Sequence, residues 1–246
     1  NPALIAAASD TNLTCVYCMD DAYFRTDRFG NQPIGKHRWR FLCESLRHLD
    51  DELLALGQTV NILRGDPNAG VATLLKAGRF DRVIRAKQHT YRGPDPWDRL
   101  QTDFPDIRFD EFDVSTLFSC KDLNFEQAFP NTFSQFKKAV GTLTYRNFLP
   151  SPDRLPTSLI ELENNQLEIS GPPGKRTGGA TAADLHITAY FGGKAASTYK
   201  DTRNNLSGED TSTGFSPWLA NGSLSPLQAV KQLRHYEATY PSLIHF

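Results

Sequence analysis

The chain has 246 residues, of which 39% are hydrophobic and 22% charged, a composition typical of globular proteins. Its formal net charge of -1 excludes a global positive field for nucleic acid, so any contact with DNA would need a local basic patch. No apolar run is long enough to cross a bilayer, and no secretory signal opens the chain. These features predict an intracellular, cytoplasmic protein and leave an organelle or the nucleus open.

The first half of the chain alternates short apolar runs with amphipathic stretches, which is typical of βαβ units around a parallel sheet. Leucine spacing predicts a long helix over 37–56, which Gly57 ends. A second helix over 67–77 begins with Asp66 as its cap and Pro67 in its first turn. The fold class is therefore α/β, with strands predicted at 13–19, 59–63, 82–86 and 107–114.

Four cysteines raise the question of a metal or redox site: Cys15, Cys18, Cys43 and Cys120. The Cys15-x-x-Cys18 spacing is one that such pairs use. Here it falls within the predicted strand 13–19, where residues three apart point to opposite faces, so the pair cannot chelate one ion. No other Cys or His pair has zinc spacing. The sequence therefore predicts no metal, and reduced thiols that act as small apolar residues.

The character of the sequence changes after residue 140. Segment 141–178 has little periodicity and contains Pro150, Pro152, Pro156, Pro172 and Pro173. This predicts a connector that lies on a surface or crosses between domains. Beyond it, helices are predicted over 180–191, 195–201, 216–220 and 226–240. We therefore divide the chain into an α/β domain, a connector and a helical region, with bounds 1–140, 141–178 and 179–246.

The most informative stretch runs from Tyr199 to Tyr236. It places the hydroxyl-rich Thr211-Ser212-Thr213 just before Phe215-Ser216-Pro217-Trp218-Leu219, which opens a helix. Hydroxyls and backbone N–H groups beside a helix start can hold an anion, such as the phosphate of a cofactor. A second start signal, Ser225-Pro226, follows it. The stretch therefore also fits two capped helices joined by a loop, because Ser or Thr before Pro is ordinary helix-start chemistry. Spacing alone favours this plainer interpretation.

The order of the residues changes that balance. Tyr199-x-x-x-Arg203-Asn204-x-Leu206, followed by the run from Ser212 to Leu219, closely resembles the flavin-binding region of the photolyase/cryptochrome family. The Arg203-Asn204 pair and the Phe-Ser-Pro-Trp-Leu run are most similar to the DASH cryptochromes. Weaker matches follow in the family's order: Asn1–Leu4, Arg38, Phe41–Leu46, Gly65-x-Pro67, Thr116-Leu117 and Pro130–Lys138.

This resemblance implies a Rossmann-like parallel-sheet domain followed by the beginning of an all-helical FAD-binding domain. The hydroxyls and amides at 212–216 would hold the flavin diphosphate. Gly214 stands where DASH members usually carry Lys or another polar residue, which removes a possible charge partner for the phosphate. In the family, a further strand precedes the part that matches Asn1, and the helical domain continues beyond the part that matches Phe246. We therefore expect a chain truncated at both ends. The implied FAD contacts are Tyr199, Ser212, Thr213, Gly214, Phe215, Ser216 and Leu219.

The resemblance also implies a light-driven activity. In the family, excited reduced FAD donates an electron to a pyrimidine dimer in DNA, and DASH members prefer single-stranded DNA. Gly93 falls where many members have an acidic residue that binds a folate antenna, so we do not expect folate by that contact. Two alternatives are a signalling cryptochrome without repair and a flavin-free, truncated α/β interaction module. Whether this chain is an enzyme by itself stays open.

Four further features receive plainer interpretations. His186 is predicted to be a helix-surface or interdomain histidine, and Gly178-Gly179 to be helix punctuation. Trp218 is predicted to be a core residue at a helix start. Arg203 and Asp210 fit equally well an ion pair that closes the loop and a surface pair that contributes little.

Overall fold

The computed structural model describes residues 1–78, 80–89, 96–119, 122–123, 125, 129–141, 144–158, 160, 167–208 and 211–241. The predictions about Gly93, Cys120 and Asp210 lie outside these residues. None of the helices in this part of the chain is both long and apolar enough to span a bilayer. Its helices and strands follow in chain order: α1 Pro2–Ala7, β1 Cys15–Asp20, a 3₁₀ turn Asp21–Tyr23, α2 Lys36–Ala55, β2 Val60–Gly65, α3 Pro67–Ala77, β3 Arg82–Ala86, α4 Pro96–Asp103, β4 Arg108–Phe112, α5 Phe133–Val140, α6 Ala180–Gly192, α7 Ala195–Thr202, α8 Ser216–Asn221 and α9 Pro226–Thr239.

The four predicted strands are present and parallel, which confirms the α/β class. β1 pairs with β2, with Cys15 opposite Val60, and β3 pairs with β4, with Arg82 opposite Arg108. Within the described residues, no backbone ladder joins β1 to β3, so the strands form two ribbons of two strands each. Instead of one continuous parallel sheet, the described strands therefore form two separate pairs, in which β1 and β3 each have a hydrogen-bonded neighbour on one side only.

Helix α2 covers the β1–β2 ribbon. Its buried residues Cys43, Leu46 and Leu53 recur at helical spacing and pack with strand residues Met19 and Ile62 in one core. Each fully buried side chain of this kind stabilises the fold by about 1.5–3 kcal/mol. The helical spacing of the apolar residues therefore predicted α2 correctly.

Helix α4 is absent from the predicted elements. This helix has eight residues, and its buried hydrophobic side chains are those of Trp97 and Leu100. Two apolar positions are too few for a helical period to stand out from the surrounding sequence.

The connector is more deeply buried than its sequence suggests. Leu155 is 2% exposed and belongs, with Leu167, to the α2–β1–β2 core. The Leu155 N–H donates to the Leu56 carbonyl at 2.9 Å, and the Leu13 N–H donates to the Thr157 carbonyl at 3.1 Å. The surface alternative is therefore wrong for Leu155 and Leu167, which complete the core, and the crossing between domains stays a prediction.

A second core lies among the C-terminal helices. The aromatic side chains of Tyr190, Phe215, Trp218 and Tyr236 are all buried in it, together with small residues of α6 and α7. Phe41 of α2 also packs against it, with its ring centroid 6.0 Å from that of Trp218. Helix α2 therefore contacts both cores, and Trp218 is a core residue as predicted.

Candidate functional site

Loop 211–216 is the last part of the connection from α7 to α8 and includes Ser216, the first residue of α8. It is anchored by Phe215, whose side chain is 7% exposed. Gly214 has a φ of +63°, a left-handed conformation that glycine adopts without a steric cost. Its N–H donates to the Ser212 hydroxyl at 3.3 Å, which closes a local turn. The loop is therefore a tight turn held against the helical core.

The predicted cofactor residues differ in how much of their side chains is available. Ser212 and Ser216 are exposed. The Phe215 ring packs against the rings of His186, Tyr190 and Phe191. The prediction that the hydroxyls share one pocket stays a prediction. The remaining predicted residues are all half-buried: Tyr199, Thr213, Gly214 and Leu219.

The plainer interpretation, two capped helices, applies to α9 and not to α8. In α9 the Ser225 hydroxyl accepts the Gln228 N–H at 3.1 Å, and the Gln228 side chain accepts the Ser225 N–H at 2.8 Å. This is a complete capping box. In α8 the N-cap is Phe215, with no side-chain capping bond. The Ser216 hydroxyl is therefore not used as a cap.

His186 ties the loop to α6, which corrects its prediction as a surface or interdomain residue. Its Nε2 lies 2.8 Å from the Thr213 carbonyl oxygen, and because a carbonyl only accepts, Nε2 carries the proton. Arg176 Nη1 lies 3.0 Å from Nδ1 and 3.2 Å from Nε2, so the guanidinium rests against the imidazole ring. The imidazole also stacks on Trp218, with ring centroids 5.0 Å apart. Local sequence patterns could not reveal this, because Thr213 and Trp218 lie far along the chain from His186.

Arg176 is the residue at this loop that sequence analysis missed. An ideal Cβ added to Gly214 would clash with its guanidinium, lying 2.7 Å from Cζ. The guanidinium also lies 5.4 Å from the centroid of the Trp218 ring. The Trp218 indole N–H donates to the Thr177 carbonyl at 3.0 Å, which fixes the backbone next to Arg176. No local pattern indicated this residue, because Arg176 lies in the aperiodic connector.

Other chemistry is less favoured in the described part of the chain. It contains no group of three or more His, Cys, Asp or Glu side chains arranged to hold a metal ion. Burial raises the pKa of Cys15 and of Cys43 to about 11, and neither sulfur is in a disulfide. These thiols are therefore protonated at neutral pH and weak as nucleophiles or ligands.

An open concavity of the surface lies near the connector rather than beside loop 211–216. Asp122 and the segment 144–147 line it. It includes none of the predicted cofactor residues. A compact, enclosed pocket is the usual form of a cofactor site, so loop 211–216 with Arg176 is at most one wall of such a site.

Comparison with known proteins places these features in a family context. A family model described as DNA photolyase matches residues 1–156. The chain is 36% identical over 250 residues to a cryptochrome DASH of Idiomarina loihiensis, covering 96% of this chain and 54% of that protein. It is 32% identical over 245 residues to a cryptochrome DASH of Xenopus laevis, covering 90% of this chain and 46% of that protein. The chain thus spans about half the length of these curated relatives.

Solved structures give the same comparison at the level of fold. A Synechocystis cryptochrome superposes with a TM-score of 0.83 at 27% identity, covering 97% of this chain and 53% of that one. A class III photolyase of Agrobacterium tumefaciens has a TM-score of 0.76 at 18% identity, covering 94% of this chain and 49% of that one. A Sulfolobus tokodaii photolyase, solved with two FAD molecules, has a TM-score of 0.71 at 16% identity, covering 99% of this chain and 54% of that one. These likenesses confirm the predicted fold, a Rossmann-like α/β domain followed by helices.

Proposed function

Because the chain belongs to the DNA photolyase family, we propose that it supplies the α/β domain and one wall of the flavin site of a FAD-dependent, blue-light photolyase or cryptochrome. The observation that carries the proposal is loop 211–216, where an exposed Ser216 hydroxyl is left out of the helix cap and Arg176 lies against Gly214. Relatives named cryptochrome DASH support the same conclusion.

The donor set of this loop suits a phosphate-bearing cofactor. Two exposed hydroxyls, Ser212 and Ser216, lie in the same short turn as several backbone N–H groups, a combination that binds phosphate in many proteins. Bound FAD would absorb the light and supply the electron, while this chain would bind and orient the diphosphate. The proposed contacts are those of the sequence analysis: Tyr199, Ser212, Thr213, Gly214, Phe215, Ser216 and Leu219.

A paired substitution tests these contacts. In the whole gene product that carries this sequence, Ser212→Ala with Ser216→Ala should weaken FAD binding. Each lost charge-assisted hydrogen bond costs roughly 1.5–3 kcal/mol, so the double variant should bind at least about tenfold more weakly. The measurement is a flavin-fluorescence titration. Ser225→Ala is the matched control, because it removes the α9 cap and leaves the loop intact. Equal FAD affinity in the double variant and the control would contradict the assignment.

We propose pyrimidine dimers in DNA, preferentially single-stranded DNA, as the substrate of the whole protein. Under blue light it should restore dimer-containing oligonucleotides, and its DNA affinity should fall as salt rises, because phosphate contacts release counterions. A protein that retains flavin but gives no light-dependent repair would instead be a signalling cryptochrome. A protein without flavin would be the interaction module.

The 246-residue chain by itself should hold FAD weakly, because a single loop cannot enclose most of a ligand's surface. The measurement is the visible absorption spectrum of the purified chain after desalting. We expect a flavin content well below one per chain, and a stoichiometric flavin signal would show that the described wall is already sufficient.

A further inference from the structure

We propose that Arg176 is the cation that binds the flavin diphosphate at loop 211–216, in an orientation fixed by His186. This inference rests on the proposed function, because it takes FAD as the ligand. It adds a binding residue from the connector, far in sequence from the loop itself. Three features of the described residues carry it: the space left by Gly214, the orientation given by His186, and the absence of a nearby carboxylate.

The first feature is the fit between Arg176 and Gly214. A side chain at position 214 would occupy the volume that the guanidinium now fills, with Cζ 2.7 Å and Nε 3.3 Å from an ideal Cβ. The left-handed φ of +63° also disfavours other residues there. Gly214 therefore does more than shape the turn, because it lets a positive charge from elsewhere in the fold lie directly on the loop backbone.

The second feature is the orientation of the guanidinium. His186 donates from Nε2 to the Thr213 carbonyl at 2.8 Å, and Arg176 Nη1 lies 3.0 Å from Nδ1 and 3.2 Å from Nε2 of the same ring. These contacts hold the Nη1 end of the guanidinium against the imidazole. Trp218 flanks both side chains, 5.0 Å from the imidazole and 5.4 Å from the guanidinium. The remaining N–H groups of the fork match two oxygens of a phosphate.

The third feature is the charge balance. Among the described residues, no carboxylate lies within 4 Å of Arg176, whereas other arginines such as Arg40, Arg82 and Arg234 form ion pairs. A half-buried cation with no counter-charge among these described residues is well suited to an anionic ligand, because binding then neutralises it. Arg176 thereby supplies, from another part of the fold, the positive charge that Gly214 cannot.

The test compares ligands with and without phosphate. The protein is the whole gene product that carries this sequence, and each form is titrated with FAD, riboflavin and inorganic pyrophosphate. The forms are wild type, Arg176→Met, Arg176→Lys and the control Lys194→Met, which removes an exposed charge at the start of α7. Arg176→Met should bind FAD and pyrophosphate at least tenfold more weakly and riboflavin within twofold of wild type. Arg176→Lys should recover part of the loss, and Lys194→Met should match wild type throughout.

A second variant serves if Arg176→Met fails to fold. Gly214→Ala keeps Arg176 but places a methyl group where its guanidinium lies, so it should also lose FAD affinity while riboflavin binding is retained. Equal FAD affinity in Arg176→Met and wild type, or parallel losses of FAD and riboflavin in either variant, would overturn the inference and leave the proposed function standing. Arg176-dependent binding of pyrophosphate without any binding of FAD would overturn the proposed function and leave an anion site. No binding of either ligand by wild type would overturn both.

Discussion

Asp113, the first residue after β4, shows how one carboxylate organises a connection between distant segments. It accepts from the Thr116 hydroxyl at 2.7 Å and lies 3.4 Å from His89 Nε2. Arg146 of the connector donates to the Asp113 carbonyl and, from Nε, to the Thr116 carbonyl at 3.0 Å. Burial by itself would raise the pKa of Asp113, but the Thr116 hydrogen bond and the charge of Arg146 outweigh it and lower the pKa.

This pKa direction predicts an acid-sensitive contribution to stability. Because the folded pKa lies below that of the unfolded chain, the stabilisation is present above the unfolded value of about 3.9 and is lost as pH falls through the folded pKa. We expect the free energy of unfolding of wild type to fall below about pH 4 more steeply than that of Asp113→Asn. Urea titrations between pH 3 and 6 measure this, with the exposed Asp106→Asn as control. Parallel pH profiles for wild type and Asp113→Asn would contradict it.

The cysteines give a second prediction at this scale. Burial raises the pKa of Cys15 and of Cys43 to about 11, and Cys43 is the fully buried one of the two. Since only the thiolate reacts, we expect both to alkylate slowly at neutral pH, and Cys43 to react only when the fold opens. Mass spectrometry after iodoacetamide treatment, with and without urea, locates the labelled thiols. Rapid labelling of Cys43 without urea would contradict the buried position.

At the scale of elements, the contact between α2 and the start of α6 joins the two cores. Gly178 donates to Glu44 Oε2 at 2.9 Å, and Gly179 donates to the Ser45 hydroxyl at 3.1 Å. A Cβ at Gly178 would lie 2.7 Å from the Ser45 nitrogen. The two glycines, predicted to be helix punctuation, therefore permit a close approach of backbone to helix. Side chains of α2 in turn accept hydrogen bonds from their buried N–H groups.

Substitution at this contact should be costly. Gly178→Ala places a methyl group against backbone and should destabilise the fold by about 1–3 kcal/mol, the usual range for overpacking. Gly192→Ala is the matched control. Gly192 is the last residue of α6, and an added Cβ there meets no atom within 4 Å. This variant should therefore be neutral or stabilising by up to about 1 kcal/mol. Thermal and urea unfolding measure both. Equal stability of the two variants would show that α2 and α6 separate easily.

At the scale of the whole molecule, the division into two ribbons leaves strand edges open. Within the described residues, β1 and β3 each pair on one side only, and Val16 on β1 is 39% exposed. An edge that presents unpaired N–H and C=O groups beside an apolar side chain is a template for pairing with another chain.

We therefore expect this chain to associate as its concentration rises. Val16→Lys should reduce association, because a charged side chain on an edge strand opposes pairing. Gln101→Lys on α4 is the control, since it adds the same charge at an exposed position outside the strands. Light scattering over a concentration series measures the effect. A wild-type chain that stays monomeric at every concentration would contradict the open-edge argument.

The sequence by itself determined most of the elements and the family. Apolar periodicity located α2, because burial on one face imposes a period that the residues must follow, and short apolar runs located the four strands. Punctuation by Asp66-Pro67 and Ser225-Pro226 located helix starts, because capping is a local interaction between neighbouring residues. The ordered run from Tyr199 to Leu219 indicated the photolyase/cryptochrome family, which the family match confirmed.

Only the tertiary structure decided how these parts meet. The burial of Leu155 in the first core, the division of the strands into two ribbons and the contact of Gly178 with α2 all join residues far apart in the chain. The same holds for Arg176 on Gly214, where the connector delivers a charge to a loop that lacks its own. Local propensity carries no information about such contacts, because their energy depends on which distant surfaces the fold brings together.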